Sequence, residues 1–317
     1  MLDFLVTFSA IVTGGALVAL LFNFFIPRMK NPFALAYNVA VIGFPKSGKT
    51  VMITSIFGQL FSDRYLGRGV ILRGKDTIER VNKDLELLEI GRLLGPTTDQ
   101  DIFAYRADIR RGIFPLQREY KVVIGDFPGE SSEEFVEDSV EWLHESSYFK
   151  WVMEADAFIF VIDIARILTD NDNREYRAMI TRAIRAAWQH IYEFHVEGKK
   201  NLNRKPLMLV FTKADLLLKY THKIDVVSTN KGSSTVANNL INEEIMNFGF
   251  SQLPEIVRVE QREIQDEIKI VEELYREIIA YLHLQTSNFG CFFVSHFVMD
   301  ENGRLGIPAL TEKLLPK

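Results

Sequence analysis

Residues 43–50 read Gly-Phe-Pro-Lys-Ser-Gly-Lys-Thr, a loop between a short apolar run and a segment whose apolar spacing suits a helix. Those residue types suit phosphate. Gly43 and Gly48 allow backbone N–H groups to turn into the loop, and the helix N-terminus behind them favours an anion. The stretch matches the pattern G-x-x-x-x-G-K-[ST] in full, with Pro45, Lys46 and Ser47 among its variable positions. In that pattern Lys49 reaches the outer phosphates and the Thr50 hydroxyl ligates Mg²⁺.

Two later stretches extend the chemistry. In "VVIGDFPGE" the carboxylate of Asp126 stands at the end of an apolar run, placed to hold Mg²⁺ through water, and Gly129 offers a backbone N–H to a γ-phosphate. Ser131 and Glu134 also form a capping box that starts the following helix. In "FTKAD", Thr212, Lys213 and Asp215 close another apolar run. Asp215 can accept from guanine N1 and N2 together, a donor pair that adenine lacks, while the stem of Lys213 lies on the base. Losing a buried bidentate partner costs far more than losing a methyl contact, so a single carboxylate can select the base. An ATPase remains the reading if Asp215 has no such role.

These motifs need strands to carry them. "NVAVIGF", "YKVVIGD", "AFIFVID", "PLMLVFT" and "CFFVSHF" are near-continuous apolar runs, the pattern of strands covered by helices on both faces. "DIFAYRADIRRG" alternates instead and predicts an antiparallel edge strand turning into "YKVVIGD". The expected fold class is therefore α/β, a three-layer sandwich with a mostly parallel sheet and one antiparallel strand. Residues 174–194 predict a helix lying on the sheet through Tyr176, Ile180, Ile184, Ala187, Ile191 and Phe194. Ile264, Ile268, Val271, Tyr275, Ile278 and Leu282 predict a core-facing helix, a pattern too short for a convincing coiled coil.

The N-terminus differs from the rest. Residues 4–26 carry no charged side chain, a length sufficient to cross a bilayer as a helix, while Asp3 before the run and "FNFFIPR" at its end do not suit a cleaved signal. Arg28 and Lys30 follow the run and no Lys or Arg precedes it, which puts the N-terminus outside and the bulk of the chain in the cytoplasm. Ala10 and Gly14 give a small-xxx-small spacing for helix pairing. The domain expectation is an anchor over residues 1–30 and one nucleotide-binding domain over 31–317, with helical insertions at about 60–94 and 216–285. A net charge of -5 gives no reason to expect nucleic acid as a partner. The single cysteine, Cys291, excludes an intrachain disulfide.

"GFPKSGKT", "DFPG" and "TKAD", in this order and each at a strand end, resemble the P-loop GTPases of the Ras-like and translation-factor class. The resemblance runs from about residue 38 to the C-terminus, and "FFVSHF" around Ser295 resembles the last, guanine-side loop of that class. An anchor ahead of such a domain is similar to the β subunit of the signal recognition particle receptor. The "DxPGE" form is similar to bacterial GTPase domains of multi-protein conflict and signalling systems, and the residues leave both open. The resemblance implies GTP and GDP as ligands, Mg²⁺ as cofactor, switch segments that change with the nucleotide, and a protein partner or multi-protein complex. In Ras-like members a Gln after the DxxG glycine orients the attacking water. This chain has Glu130 there, a carboxylate that could act as a base or repel the γ-phosphate. Thr97 and Thr98 are the candidates for the switch threonine on Mg²⁺, with Thr98 preferred. The inserted segment supplies Arg73, Arg80 and Arg92 as candidate arginine fingers.

The expectation is a membrane-anchored cytoplasmic GTPase with Lys49, Thr98 and Glu130 in catalysis and Thr50, Asp126 and Thr98 on the metal. The alternative is a nucleotide-binding assembly or scaffold protein with negligible turnover.

Overall fold

The computed structural model describes residues 13–20, 34–62, 70–90, 92, 94–95, 103–111, 118–126, 147–169, 173–198, 201–218, 257–258, 264–300 and 303–316. The first sheet is built from β1 (Leu35–Ile42), β2 (Val70–Leu72), β3 (Phe103–Arg111), β4 (Arg118–Asp126), β5 (Ala157–Asp163), β6 (Leu207–Thr212) and β8 (Phe289–Phe293). Its strand order is β2-β3-β4-β1-β5-β6-β8. β4, β1, β5, β6 and β8 pair in parallel, and β3 runs antiparallel to both of its neighbours. A small second sheet joins β7 (Val257–Arg258), β9 (Val298–Asp300) and β10 (Gly303–Arg304).

The five apolar runs all become strands, for the reason their composition suggests. Every residue of β5 and β6 is buried, so both faces of the sheet centre must be covered. β1 divides its side chains by strand alternation: Ala40 and Ile42 enter one core cluster, Val39 and Val41 the other. On the first face lie α3 (Ser147–Glu154), α4 (Ile164–Thr169), α5 (Asn173–Glu197), α6 (Gln265–Leu274) and α7 (Arg276–Gln285). The second face is covered by α1 (Lys49–Ser62) and α8 (Ile307–Leu314), with α2 (Lys75–Glu89) packed beside α1. Fully burying one such Leu, Ile or Phe contributes roughly 1.5–3 kcal/mol, so these two apolar layers dominate what holds the sheet flat against its helices.

Three expectations change in detail. β3 is antiparallel as predicted but not an edge strand, because the three residues of β2 pair along its outer side. So short a strand, with Ile71 exposed at its centre, leaves no alternation to read. The stripe of α5 holds from Tyr176 to Ile191 and then departs from the reading: Phe194 is 38% exposed while His195 is buried. A helical repeat of 3.6 residues reaches the core at Ile191 and next at His195, one position beyond Phe194. The predicted helix through Ile264 and Leu282 faces the core, yet it breaks at Tyr275, whose φ of -109° and ψ of 14° separate α6 from α7.

Residues 13–20 are helical and exposed. Among the described residues no helix is long and apolar enough to cross a membrane. Most of the charge-free run 4–26 lies outside the described residues.

Candidate functional site

The loop 43–50 leaves the end of β1 and enters α1. Its path is set by two glycines. A Cβ on Gly43 would stand 2.9 Å from Val161 Cβ in β5 and 3.1 Å from Ser47 Oγ, and Gly48 has a φ of +81° that side chains disfavour. Lys46 also sits in the left-handed region at φ 61°. α1 begins at once, with the Met52 N–H donating to Gly48 O at 3.0 Å, and its first turn directs backbone N–H groups toward the loop.

Lys49 is buried and arches back over the loop, its Nζ donating to Gly43 O at 2.6 Å and Phe44 O at 3.0 Å. The Thr50 hydroxyl donates to Asp126 Oδ1 at 3.4 Å. Asp126 is the last residue of β4, beside β1, and is almost wholly buried. Parallel pairing thus brings together two hard oxygens 76 positions apart in sequence. Ser47 Oγ is buried and finds no hydrogen-bond partner among the described residues. An orphaned hydroxyl beneath a glycine-lined cradle, with an ammonium and two oxygen donors around it, fits a phosphate chain and a divalent cation.

At the other end of the site, Thr212 closes β6 and donates its one hydroxyl proton to Ser47 O at 2.6 Å, with Ile162 O lying 3.2 Å from the same oxygen, clamping the loop from the side. Lys213, left-handed at φ 60°, donates to Lys46 O at 2.9 Å and to Asp163 Oδ2 at 2.6 Å. Asp163 is a residue the sequence reading missed. It ends β5, is buried, and also accepts the Ala165 N–H at 2.8 Å to start α4. An Asp between an apolar run and a helix was the signal, because it is the usual helix-capping arrangement.

Asp215 is half-buried and accepts from Ser295 Oγ at 2.7 Å. The same Ser295 oxygen accepts the Phe297 N–H at 3.1 Å, and the Ala214 N–H donates to Val294 O at 3.1 Å. His296 beside it is buried against α1, with Nδ1 2.8 Å from Ser55 Oγ. Since Ser55 donates its own proton to Val51 O at 2.7 Å, His296 must donate from Nδ1, leaving Nε2 unprotonated. Burial, then the charge of Arg304, push the His296 pKa down to about 3.

The other expected site residues divide. Thr97, Thr98, Gly129 and Glu130 lie outside the described residues, as do the capping-box positions Ser131 and Glu134. Of the three candidate arginines, Arg73 pairs with Asp108 and Arg92 is exposed. Arg80 lies 4.8 Å from the ring of Phe103, the cross-strand partner of Asp126, and 3.8 Å from Asp84. Asp84 accepts from the Tyr105 hydroxyl at 3.3 Å, and burial raises its pKa. Cys291 in β8 is no nucleophile at neutral pH: burial and the nearby Glu272 push its thiol up to about 12.

A central parallel sheet whose β1 feeds this loop, with the reversed β3 beside β4, is the arrangement the motif resemblance implied. This is a three-layer α/β fold with a glycine-turned, phosphate-type loop between β1 and α1. No family model matches the sequence and no curated protein matches it, so neither finer resemblance gains a counterpart there. Among solved structures the chain is similar to Roco2 RocCORdC of Methanosarcina barkeri bound to GDP, with 13% identity, 90% of this chain covered and a TM-score of 0.30. The chain spans 49% of the length of that structure. It is also similar to the Arl6 BBS3 small GTPase of Trypanosoma brucei with bound GppNp, at 13% identity, with 69% of this chain and 83% of that one covered and a TM-score of 0.28. Strand order and loop geometry, rather than either superposition, decide the fold.

Proposed function

We propose that the chain binds GTP with Mg²⁺ and hydrolyses it to GDP and phosphate, and that residues 4–26 anchor this domain to a membrane on its cytoplasmic side. The observation that carries the nucleotide reading is the Asp215 to Ser295 pair, which follows the C-terminal ends of β6 and β8 at the same end of the parallel sheet where β1 leads to Lys49 and Thr50 and β4 ends in Asp126. Lys49 would hold the outer phosphates, and Thr50 and Asp126 would hold the metal directly and through water. Mg²⁺, when bound, neutralises charge on the transferring phosphoryl group. Asp215, kept in place by Ser295, would accept the two guanine donors, and the Lys213 stem, pinned by Asp163, would lie along the base. Thr98 and Glu130 would act only when a γ-phosphate is present.

The anchor reading is supported by the length of the charge-free run and by Arg28 and Lys30 on one side of it. Domain limits of 1–30 and 31–317 follow from it, with protein partners expected to read the switch segments.

Binding of GTP, GDP, ATP and xanthosine triphosphate to the full-length chain in neutral detergent, followed by multiple-turnover phosphate release, tests the proposal. Preference for guanine with repeated turnover supports it. Equal affinity for ATP refutes the role of Asp215, and tight GTP binding without turnover makes the chain a nucleotide-ordered assembly protein. Recovery of the full-length chain in the soluble fraction without detergent refutes the anchor.

A further inference from the structure

Away from the nucleotide site, a groove of about 940 Å³ runs between α5 and the break that separates α6 from α7. Arg177, Arg182, Arg185 and Arg276 line it, against the carboxylates of Glu273 and Glu277. In a chain of net charge -5 this is a local reversal of sign. The α5 side of the groove follows from helical spacing. Arg177, Thr181 and Arg185 recur every fourth residue and so share a face, with Ala178 and Ala186 beside them leaving room for a ligand to approach the helix.

Three of the guanidinium groups make contacts at the groove. Arg177 donates to Leu274 O at 3.3 Å, across the groove at the end of α6. Arg185 lies 5.5 Å from the Tyr281 ring and 3.6 Å from Glu277, and Arg276 lies 3.3 Å from Glu273. Both glutamates are well exposed, at 71% for Glu273 and 88% for Glu277, so these ion pairs are surface pairs that a stronger anion can displace at little cost. At the break itself Tyr275 lines the groove and is buried, and its hydroxyl finds no hydrogen-bond partner among the described residues.

We infer that this groove binds a ligand carrying two or more phosphate groups on a compact organic body. Guanidinium forks match phosphate oxygens in pairs, and four of them around one groove suit a polyanion better than a single carboxylate. The volume is that of a small-molecule site, whereas an acidic protein segment would need a contact surface several times wider. Two sources share this chemistry, a free phosphate ester and the phosphorylated headgroup of a lipid. The groove shares no lining residue with the nucleotide loop, so it does not depend on the GTPase reading.

Inositol 1,4,5-trisphosphate, titrated calorimetrically into the full-length chain in neutral detergent with GDP and Mg²⁺ present, is the probe. Saturable binding at one site per chain is expected. Arg182→Glu should weaken it about tenfold or more, the scale of a lost charge-assisted contact turned repulsive, with GDP affinity unchanged. Glu273→Gln combined with Glu277→Gln should tighten it about two- to fivefold by removing the competing carboxylates. That gain cannot come from a misfolded variant, so it stands even if Arg182→Glu folds poorly. Absence of saturable binding at millimolar probe, or binding that neither substitution changes, overturns the inference. Tighter binding of a deca-glutamate peptide than of the trisphosphate overturns it as well, in favour of an acidic protein partner. The same titration in phosphatidylcholine nanodiscs with and without phosphatidylinositol 4,5-bisphosphate names the source. Weaker apparent binding in the doped discs supports the site with a lipid headgroup as ligand, and equal binding supports it with a free phosphate ester.

Discussion

The two ends of the nucleotide site are made in different ways. At the phosphate end, eight consecutive residues carry almost the whole geometry: Gly43 lets the loop pass β5, Gly48 turns it, and Lys49 spans it. At the base end no single segment suffices. Lys213 is fixed by Asp163, Asp215 by Ser295, and the Ser295 loop by His296 against Ser55, with partners 50, 80 and 241 positions apart. A local loop is vulnerable at its charged centre, whereas a cross-linked surface loses its geometry one bond at a time.

The largest effect should come from breaking the phosphate end. Lys49→Ala removes the buried ammonium that crosses the loop and leaves Gly43 O and Phe44 O without that donor. Truncating one partner of a buried, hydrogen-bonded charge pair costs about 2–5 kcal/mol, which is a loss of roughly thirtyfold to several thousandfold in GTP affinity. GDP binding and turnover should fall with it, as measured by nucleotide displacement and phosphate release. GTP affinity within threefold of wild type would show that the loop holds nucleotide through its backbone alone.

The same contrast explains what was legible in the sequence. The loop was readable because its glycines, lysine and threonine are adjacent and each is required by backbone geometry or charge. The parallel strands were readable because burial on both faces leaves an uninterrupted apolar run. β2 was not, since three residues pairing on the flank of β3 leave no period to detect. Asp163 was passed over for a related reason: its partner Lys213 lies two helices and a strand away, and only sheet order brings β5 beside β6. The break at Tyr275 was hidden because the apolar spacing continues across it, although the groove beside it is lined by four arginines.

Base selection should respond next, and more mildly. Asp215→Asn keeps the shape of the side chain and the bond from Ser295 but replaces one acceptor by a donor. Loss of a hydrogen bond to a charged group is worth roughly 1.5–3 kcal/mol, so GTP should weaken by about ten- to a hundredfold. Xanthosine triphosphate, whose C2 carbonyl can accept from the new amide, should bind more tightly than it does to wild type. No such exchange of preference would mean that Asp215 does not face the base.

A third test uses the cross-link through His296. Its pKa is about 3 in the folded chain against 6.5 for an ordinary histidine, so between those values the unfolded chain holds a proton that the folded chain does not. Stability from this group is fully present above pH 6.5 and is lost as pH falls toward 3, by about 1.4 kcal/mol per unit. Protonation would put a hydrogen on Nε2, which is buried and has no acceptor among the described residues. Urea unfolding of the full-length chain at pH 7, 6 and 5 should therefore show a slope that His296→Gln reduces by that amount. An unchanged slope would place the acid sensitivity elsewhere.

The smallest effect separates positioning from packing at the base end. Ser295 touches Asp215 and the Phe297 N–H, and its role in the nucleotide reading is exercised only through the carboxylate it holds. Ser295→Ala leaves Asp215 charged and present but unanchored on that side. A hydrogen bond to a charged group is worth roughly 1.5–3 kcal/mol, which sets the loss of stability, and since GTP feels it only through the position of Asp215 its affinity should drop less, about fivefold. Stability alone would not distinguish a structural serine from a positioning one. The ratio of GTP to ATP affinity does, because a loosened Asp215 costs guanine binding and leaves adenine, which makes no contact with it, unaffected. Ser295→Thr should restore the ratio by returning the hydroxyl. In the Asp215→Asn background, Ser295→Ala should alter the ratio less than it does in the wild type, since the charged acceptor it positioned is gone. An equal change in both backgrounds would show that Ser295 acts through the Phe297 N–H, and that the guanine-side loop, rather than the Asp215 carboxylate, is what the serine holds in place.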